Sequence, residues 1–301
     1  MQPAKMHRYR LGGEEFQLPV RMPEAENFEV EEDEMGMAEK ATPFVSTGRE
    51  AYFPKTDSLV CLLNGWVAFA WRDVQVWSKK FGFLVRVEGG RDFYIRSDGD
   101  EIRWVGDTQS GIGLSETERQ ILLGPVIVLA LALRGVLSLH ASAAIFRGKL
   151  VLFLGESGQG KSTLAAYLSG QPGWRLAADD ILPVTEGVDG LTAWPHFPQL
   201  KLPKEAQPGP GLPEQIAVHA VVMLTEADSD GDPNLKILPA SQAVQAYLGH
   251  TAGTRLFGPK QLADHLAFCA NAAGQTPTYR LIYPHRRETL PQVRELLESL
   301  C

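Results

Sequence analysis

Cysteine is scarce in this chain of 301 residues, which has three: Cys61, Cys269 and Cys301. They lie far apart, so no disulfide framework and no C-x-x-C metal knuckle is expected, and a reducing cytoplasm fits best. Basic residues are also few, with 29 Lys and Arg against 36 Asp and Glu. Because binding to a phosphate backbone needs an excess of basic residues, the net charge of −7 argues against a nucleic-acid partner.

A long hydrophobic run is missing as well. The most hydrophobic stretch, Ile121 to Leu133, stops at Arg134, well short of the roughly 20 residues that span a bilayer. We interpret it as a buried helix. The first residues of the chain also lack the apolar core of a signal peptide. The sequence therefore predicts no membrane partner and a cytoplasmic location.

Residues 1–112 have the pattern of a β-rich domain. Short apolar or alternating stretches such as Val60–Leu63, Val67–Trp71 and Val74–Trp77 are typical of strands. The turn signals between such stretches are Asn64-Gly65, Gly89-Gly90 and Asp98-Gly99. Eight carboxylates between Glu24 and Glu39, with no basic residue among them, indicate a solvated acidic loop over 24–39.

Residues 113–301 mix helix and strand signals, which favours a second domain. Ser115 followed by Glu118 is a capping box that predicts the start of a helix, which Pro125 would kink or divide. The strands predicted next are Val136–His140, Ala143–Phe146 and Lys149–Leu154. Further strands are predicted at Ala217–Thr225 and Tyr279–Tyr283, and helices at 241–248, 259–270 and 291–300. This mixture indicates an α/β fold in which helices flank a sheet.

The strongest motif is Gly155-Glu-Ser-Gly-Gln-Gly-Lys161-Ser162, which fits the P-loop pattern G-x-x-x-x-G-K-[ST]. A predicted strand leads into it and an apolar-periodic helix leads out. The glycines let the backbone wrap around phosphate oxygens, so that N–H groups and a helix N-terminus face the anion. Lys161 would reach the β- and γ-phosphates, and Ser162 would offer a hydroxyl to Mg²⁺. The predicted nucleotide-binding residues are Gly155, Glu156, Ser157, Gly158, Gln159, Gly160, Lys161, Ser162 and Thr163.

Two adjacent carboxylates, Asp179 and Asp180, follow the P-loop at the end of a short apolar segment. Such a pair suits phosphoryl transfer, because one carboxylate can hold Mg²⁺ and the other can accept the proton of an attacking hydroxyl. His140 ends a predicted strand, where a histidine is most often structural. The strand–turn–strand from Val136 to Leu154 can bring it back toward the phosphates.

Three segments taken together carry a family resemblance: Leu139–Ala144, Gly155–Leu164 and Leu176–Ile181. They resemble the catalytic domain of the HPr serine kinase/phosphorylase family. More narrowly, they resemble the HPr-kinase-like proteins found with ribosomally made peptides, including lasso-peptide precursor kinases. The resemblance is specific over about 115–202 and weaker beyond. It departs from HPr kinase at Ala141, where that family has Gly, and at Pro195–Leu202, which replaces a second signature.

The resemblance implies a P-loop fold shared with ATP-type phosphoenolpyruvate carboxykinases, with a mixed sheet. It also implies ATP, Mg²⁺ and transfer of the γ-phosphoryl group to a serine hydroxyl. It gives a functional role to His140, the Mg²⁺ hydroxyl to Ser162 and the catalytic carboxylates to Asp179 and Asp180. We assign Asp179 as the base and Asp180 as the metal partner, so that the predicted catalytic set is Asp179, His140 and Lys161.

The function expected from these observations is an ATP-dependent serine kinase acting on a peptide or small protein, with the C-terminal serine of a lasso-peptide precursor as a candidate acceptor. A terminal carboxylate beside the reacting hydroxyl would need a cation beyond Lys161. The candidates are Lys201, Lys204, Arg286 and Arg287. Three alternatives stay open: an HPr kinase/phosphorylase, an ATP-binding sensor without turnover, and an acceptor-free ATPase. A homo-oligomer is also left open.

Overall fold

The structure, a computed structural model, describes residues 6–30, 44–48, 58–68, 70–79, 81–105, 113–203, 206–208, 211–227 and 231–301. The chain forms two compact units: Met1–Val136 with Gly253–Leu262, and Leu137–Ala252 with Ala263–Cys301. Residues 113–136 thus group with the first unit, and the domain limits 1–112 and 113–301 stay a prediction. Of the acidic loop, residues 31–39 lie outside the described residues, and Pro23–Phe28 form a 3-10 helix.

The first unit contains an eight-stranded sheet with the order β1-β2-β3-β8-β7-β6-β5-β4. Its strands are β1 (His7–Leu11), β2 (Glu14–Leu18), β3 (Phe44–Gly48), β4 (Ser58–Val67), β5 (Ala70–Lys79), β6 (Gly82–Val87), β7 (Phe93–Arg96) and β8 (Glu101–Val105). The turn predicted at Asn64-Gly65 is wrong. Asn64 lies inside β4 opposite Asp73 and donates a hydrogen bond to its carboxylate, while the hairpin turns at Ala68, which has φ +48°.

The apolar run that begins after Ser115 is helical but interrupted. The predicted capping box is present, with the Glu118 N–H donating to Ser115 Oγ at 3.2 Å and the Ser115 N–H donating to Glu118 Oε2 at 2.8 Å. Helix α1 (Glu116–Ile121) is separated from α2 (Ile127–Leu133) by a π-turn in which Gly124 leaves the helical conformation before Pro125. Among the residues described, no helix is long and apolar enough to cross a membrane.

The second unit contains a seven-stranded mixed sheet with the order β10-β9-β11-β12-β13-β15-β14, and β10 also pairs with β13. Its strands are β9 (Leu137–Phe146), β10 (Lys149–Leu154), β11 (Trp174–Gly187), β12 (Gly190–Ala193), β13 (Ile216–Glu226), β14 (Asn234–Ile237) and β15 (Thr278–Tyr283). The helices are α3 (Lys161–Ser169), α4 (Ala240–His250), α5 (Pro259–Gln275), which belongs to this unit from Ala263 onward, and α6 (Leu290–Leu300). The predicted α/β class with a mixed sheet and helices is confirmed.

Strand β9 is longer than predicted, and this sets the register of the site. The two strands expected at Val136–His140 and Ala143–Phe146 are one continuous strand, because β10 and β11 pair with it on its two edges. Ser142 of β9 lies opposite Phe153 of β10 on one side and opposite Asp179 of β11 on the other. The acidic pair therefore lies inside β11 and not at a strand end, level with the point where β10 ends.

Helices α3 and α6 pack against this sheet through one buried apolar cluster, which includes Phe153, Leu164, Leu168 and Leu297. Phe146 also stacks on Trp174 in this cluster, with ring centroids 4.9 Å apart. Burial of an aliphatic or aromatic side chain stabilises the fold by about 1.5–3 kcal/mol. The cluster therefore fixes α3, and with it the loop that precedes α3, to the end of β10.

A buried polar network holds the segment after α4 against β9. His265 Nε2 lies 2.9 Å from Thr251 Oγ1, which donates to the Tyr247 carbonyl at 2.9 Å. Thr251 also forms a β-bridge with Leu139 of β9. Burial lowers the pKa of His265 and raises the pKa of Cys269, one helical turn further along α5, to about 12. Both side chains are thus neutral packing groups at neutral pH.

The lowered pKa of His265 predicts a loss of stability in mild acid. Between its folded pKa and the unfolded value of about 6.5, the unfolded chain binds a proton that the folded chain excludes, so stability falls as the pH drops through this window. His265→Gln replaces the ring by an amide that does not titrate. Its free energy of unfolding should therefore fall less between pH 7 and 5.5 than that of the wild type. Denaturant titrations across this range, with His7→Gln as control, measure the difference. An unchanged pH slope in His265→Gln would contradict the prediction.

Candidate functional site

The glycine loop lies between β10 and α3, as the sequence predicts. Gly155, Gly158 and Gly160 have backbone φ values of +155°, +89° and +78°. Residues other than glycine rarely adopt such values. A Cβ added to Gly155 would lie 3.2 Å from the Gln159 Cβ and 3.4 Å from the Leu224 carbonyl oxygen. The loop therefore needs glycine at Gly155 both for the backbone conformation and because Gln159 and Leu224 lie close to it. The loop leads into the N-terminus of α3, where backbone N–H groups favour an anion.

Lys161 is folded back onto this loop. It is 7 % exposed, and its Nζ donates to the carbonyl oxygens of Gly155 at 2.6 Å and Glu156 at 3.2 Å. Burial lowers the pKa of its ammonium group and the charge of Lys201 adds to that effect, while nearby carboxylates, including Asp180, oppose it. The next residue, Ser162, is exposed in the first turn of α3. The loop thus holds the Lys161 cation, and the first turn of α3 presents the Ser162 hydroxyl next to it.

Asp179 is held by uncharged neighbours. Ser142 Oγ donates to Asp179 Oδ1 at 2.5 Å, and the Asp179 N–H donates to Gln199 Oε1 at 2.8 Å. Gln199 is fully buried, and its amide also donates to the carbonyl oxygens of Ile181 and Phe197, each at 2.9 Å. The sequence singled out the segment Pro195–Leu202 but missed Gln199, which locks this segment onto β11.

Asp180 is held by positive or ionisable groups. Its Oδ1 accepts from Lys201 Nζ at 2.6 Å and lies 3.1 Å from His140 Nδ1. Burial alone would raise the pKa of Asp180, but the hydrogen bond from His140 and the charge of Lys201 outweigh it, and the pKa is lowered. The structure therefore brings His140 and Lys201 to the acidic pair. Their catalytic and substrate roles stay predictions.

His250 is a neighbour of the site that sequence reasoning missed. It is 5 % exposed at the end of α4. Burial lowers its pKa, on which the charges of Glu156, Lys161 and His140 also act. It reaches this position because the next residue, Thr251, pairs with Leu139 of β9. No local motif marks His250, since only that long-range pairing places it there.

The remaining substrate candidates follow β15. Because β10, β13 and β15 run parallel, their carboxyl ends share one edge of the sheet. The Tyr283 hydroxyl at the end of β15 lies 3.4 Å from where a Cβ on Gly160 would stand. Arg286 and Arg287 come shortly afterwards and are exposed. Their proposed contact with an acceptor stays a prediction, and Lys204 lies outside the described residues.

A cavity of about 390 Å³ opens beside Ser162 and Asp179. Its walls come from the outer face of α3, from β11 and from the segment that follows Lys201. The remaining lining residues are Ala166, Ser169, Arg175, Leu176, Leu202, Ala206, Gln207, Pro208 and Leu212. Asp179 thus has an accessible, largely apolar space next to it.

No family model matches the chain, and no curated protein matches it in sequence. Among solved structures, the HPr(Ser) kinase/phosphatase from Coxiella burnetii is similar to this chain with 15 % sequence identity and a TM-score of 0.33. The similarity covers 54 % of this chain and 88 % of that chain.

Removal of the Lys201 charge should raise the pKa of Asp180. In Lys201→Met, the Asp180 carboxylate loses one of the two groups that oppose the effect of its burial. Its pKa should therefore rise. Carbon-13 NMR of aspartate-labelled protein measures this pKa directly. Lys236→Met, at an exposed position on β14, is the control. An Asp180 pKa that is equal in the wild type and in Lys201→Met would show that the ion pair does not form in solution.

Proposed function

We propose that this chain is an ATP- and Mg²⁺-dependent kinase that transfers the γ-phosphoryl group of ATP to a serine hydroxyl of a peptide or small protein. One observation carries the proposal: a glycine loop with a buried lysine lies level with an acidic pair two strands away in the same sheet. Phosphoryl transfer needs little covalent help from a protein, so a phosphate cradle, a cation and a proton acceptor in fixed positions suffice.

The residues present fit Mg²⁺. This ion prefers oxygen ligands and is usually held by one or two carboxylates together with phosphate oxygens. The exposed Ser162 hydroxyl and the Asp180 carboxylate supply such oxygens next to the loop. When bound, the ion would neutralise charge on the phosphates.

The chain's own groups account for the remaining chemistry. In this proposal the loop N–H groups and Lys161 hold the β- and γ-phosphates, and Asp179 takes the proton of the serine hydroxyl. The serine oxygen bonds to the γ-phosphorus as the bond from that phosphorus to the β–γ bridging oxygen breaks, and ADP leaves. Since Ser142 occupies Asp179 Oδ1, the proton would go to Oδ2. His140 orients Asp180 through its contact with Oδ1.

For the acceptor, we propose the C-terminal serine of a ribosomally made peptide precursor. Its terminal carboxylate would lie beside the reacting hydroxyl and would need a cation near the acidic pair. Lys201 supplies one, because its side chain is 52 % exposed and its ammonium group is already at Asp180. An internal serine on a folded partner such as HPr has no such carboxylate.

The two carboxylates should differ in metal dependence. Asp179→Asn removes the proton acceptor and should lower turnover by about 100-fold or more at any Mg²⁺ concentration, since general base catalysis contributes about 10²–10⁴-fold. Asp180→Asn should instead raise the Mg²⁺ concentration needed for half-maximal rate. Turnover measured against Mg²⁺ concentration separates the two effects. The same metal dependence in both variants would overturn this division of roles.

The function itself is tested with γ-labelled ATP and three acceptors: a free-acid peptide ending in serine, its C-terminal amide and purified HPr. We expect label on the free-acid peptide and at least tenfold less on the amide, because a charged hydrogen bond is worth about 1.5–3 kcal/mol. Lys161→Ala should lower the rate of phosphate transfer by about 10²–10³-fold, which is the usual effect of removing one oxyanion contact. The control variant Lys236→Ala should keep the wild-type rate.

Each other outcome favours a different function. Label on HPr with an inert peptide would favour the HPr kinase. ATP binding without phosphate transfer or release would favour a sensor, and phosphate release without labelled acceptor would favour an ATPase. More than a tenth of wild-type turnover in Lys161→Ala would remove the proposed role of the glycine loop.

A further inference from the structure

The cavity beside Asp179 contains a basic residue, Arg175, that the proposed chemistry does not use. Its walls are mostly apolar, formed by Leu176, Leu202, Leu212 and neighbouring small residues. The acidic Asp179 lies at one point of the lining and the basic Arg175 at another. A peptide with an apolar side chain and an anionic group matches the apolar walls and Arg175.

Arg175 has spare capacity for an anion. In the part of the chain that the structure describes, its one hydrogen bond runs from Nη1 to the Gly211 carbonyl oxygen at 3.5 Å, at the outer limit for such a bond. A guanidinium carries five N–H donors in a planar fork that fits a carboxylate with two parallel bonds. The exposed Arg175 side chain can therefore receive a carboxylate without breaking a strong internal contact.

Strand geometry sets the distance between the anion and the reacting hydroxyl. Arg175 and Asp179 of β11 lie opposite Ile145 and Ser142 of β9, because β11 has a bulge between Leu176 and Ala178. These partners are three positions apart, which corresponds to about 10 Å along a strand at 3.3 Å per residue. An extended peptide that lies along β11 would place its accepting serine at Asp179. An acidic side chain up to four residues away would then reach Arg175, and the apolar walls would cover a side chain between them.

We propose that this cavity is an acceptor subsite that binds the segment preceding the phosphorylated serine, and that Arg175 selects an acidic residue within four positions of that serine. The inference rests on the proposed function and adds a substrate preference to it. The preceding side is chosen because a C-terminal serine has no residues after it. The subsite contributes binding and selectivity and takes no part in the bond-making step.

Binding measured without catalysis tests the subsite separately from the kinase. Fluorescent peptides with alanine in place of the accepting serine are titrated by anisotropy, with glutamate or glutamine at each of the four preceding positions. At one position the wild type should bind the glutamate peptide about 10–100-fold tighter than the glutamine peptide, the range for a charged hydrogen bond. Arg175→Gln should abolish this difference, and Arg21→Gln, an exposed arginine of the first unit, should preserve it.

Two further variants sharpen the test. Arg175→Glu should reverse the preference in favour of a lysine peptide. Ala166→Phe, which fills the cavity from the exposed face of α3, should weaken all the peptides. Equal binding of glutamate and glutamine peptides by the wild type, or a preference that survives in Arg175→Gln, would overturn the subsite. If Arg175→Gln binds a non-hydrolysable ATP analogue more weakly than the wild type, the proposed subsite would also be overturned, because the nucleotide would then occupy the cavity.

The two proposals fail in different ways. If the binding preference is found but no peptide is ever phosphorylated, the kinase proposal fails and the subsite stands. If peptides are phosphorylated with no preference for glutamate, the subsite fails and the kinase proposal stands.

Discussion

The hydrogen-bonded pairing of β9 with both of its neighbours is the constraint on which the candidate site depends. The glycine loop follows β10, and the acidic pair lies in β11. The two parts of the site are therefore placed relative to each other only by the pairing of both strands with β9. Ser142 is the shared register point, since it lies opposite Phe153 on one side and Asp179 on the other. A one-residue slip of either pair would send every side chain of the slipped strand to the opposite face of the sheet. Full burial of the middle of β9 makes such a slip costly.

Charge balance is the second organising feature. Two ammonium groups, those of Lys161 and Lys201, lie close enough to affect each other, and the carboxylates of Asp179, Asp180 and Glu156 oppose them. Two ammonium groups against three carboxylates give these five groups a formal net charge of −1. A nucleotide would change this balance, and the ion pair between Lys201 and Asp180 is the contact most exposed to the change, because Lys201 is half-exposed while Asp180 is largely covered.

Sequence reasoning reached the parts of the site that local patterns encode. The glycine loop, its flanking strand and helix, and the capping box at Ser115 each follow from a few adjacent residues with a known geometry. The continuous β9 and the position of Asp179 inside a strand did not follow. Both depend on partners elsewhere in the chain, and a strand buried on both edges has no turn signal to mark its true length. The turn predicted at Asn64-Gly65 failed for a related reason, since a cross-strand hydrogen bond from Asn64 to Asp73 outweighs the turn preference of this pair.

His250, Gln199 and Arg175 show the same limit at the level of single residues. None stands in a recognisable motif. Gln199 matters because three backbone groups converge on its amide, and His250 matters because the chain after α4 returns to β9. Arg175 becomes noticeable only when the cavity it lines is known.

The bridge between Leu139 and Thr251 also bears on how the molecule folds. It joins residues about a hundred positions apart, so forming it closes a long loop, and that entropic cost is met only once much of the sheet is in place. The loop from Gly155 to Ser162, by contrast, is built from neighbouring residues and can take shape early. The glycine loop would therefore form before His250 is placed beside it, and completion of the site would be among the last events of folding.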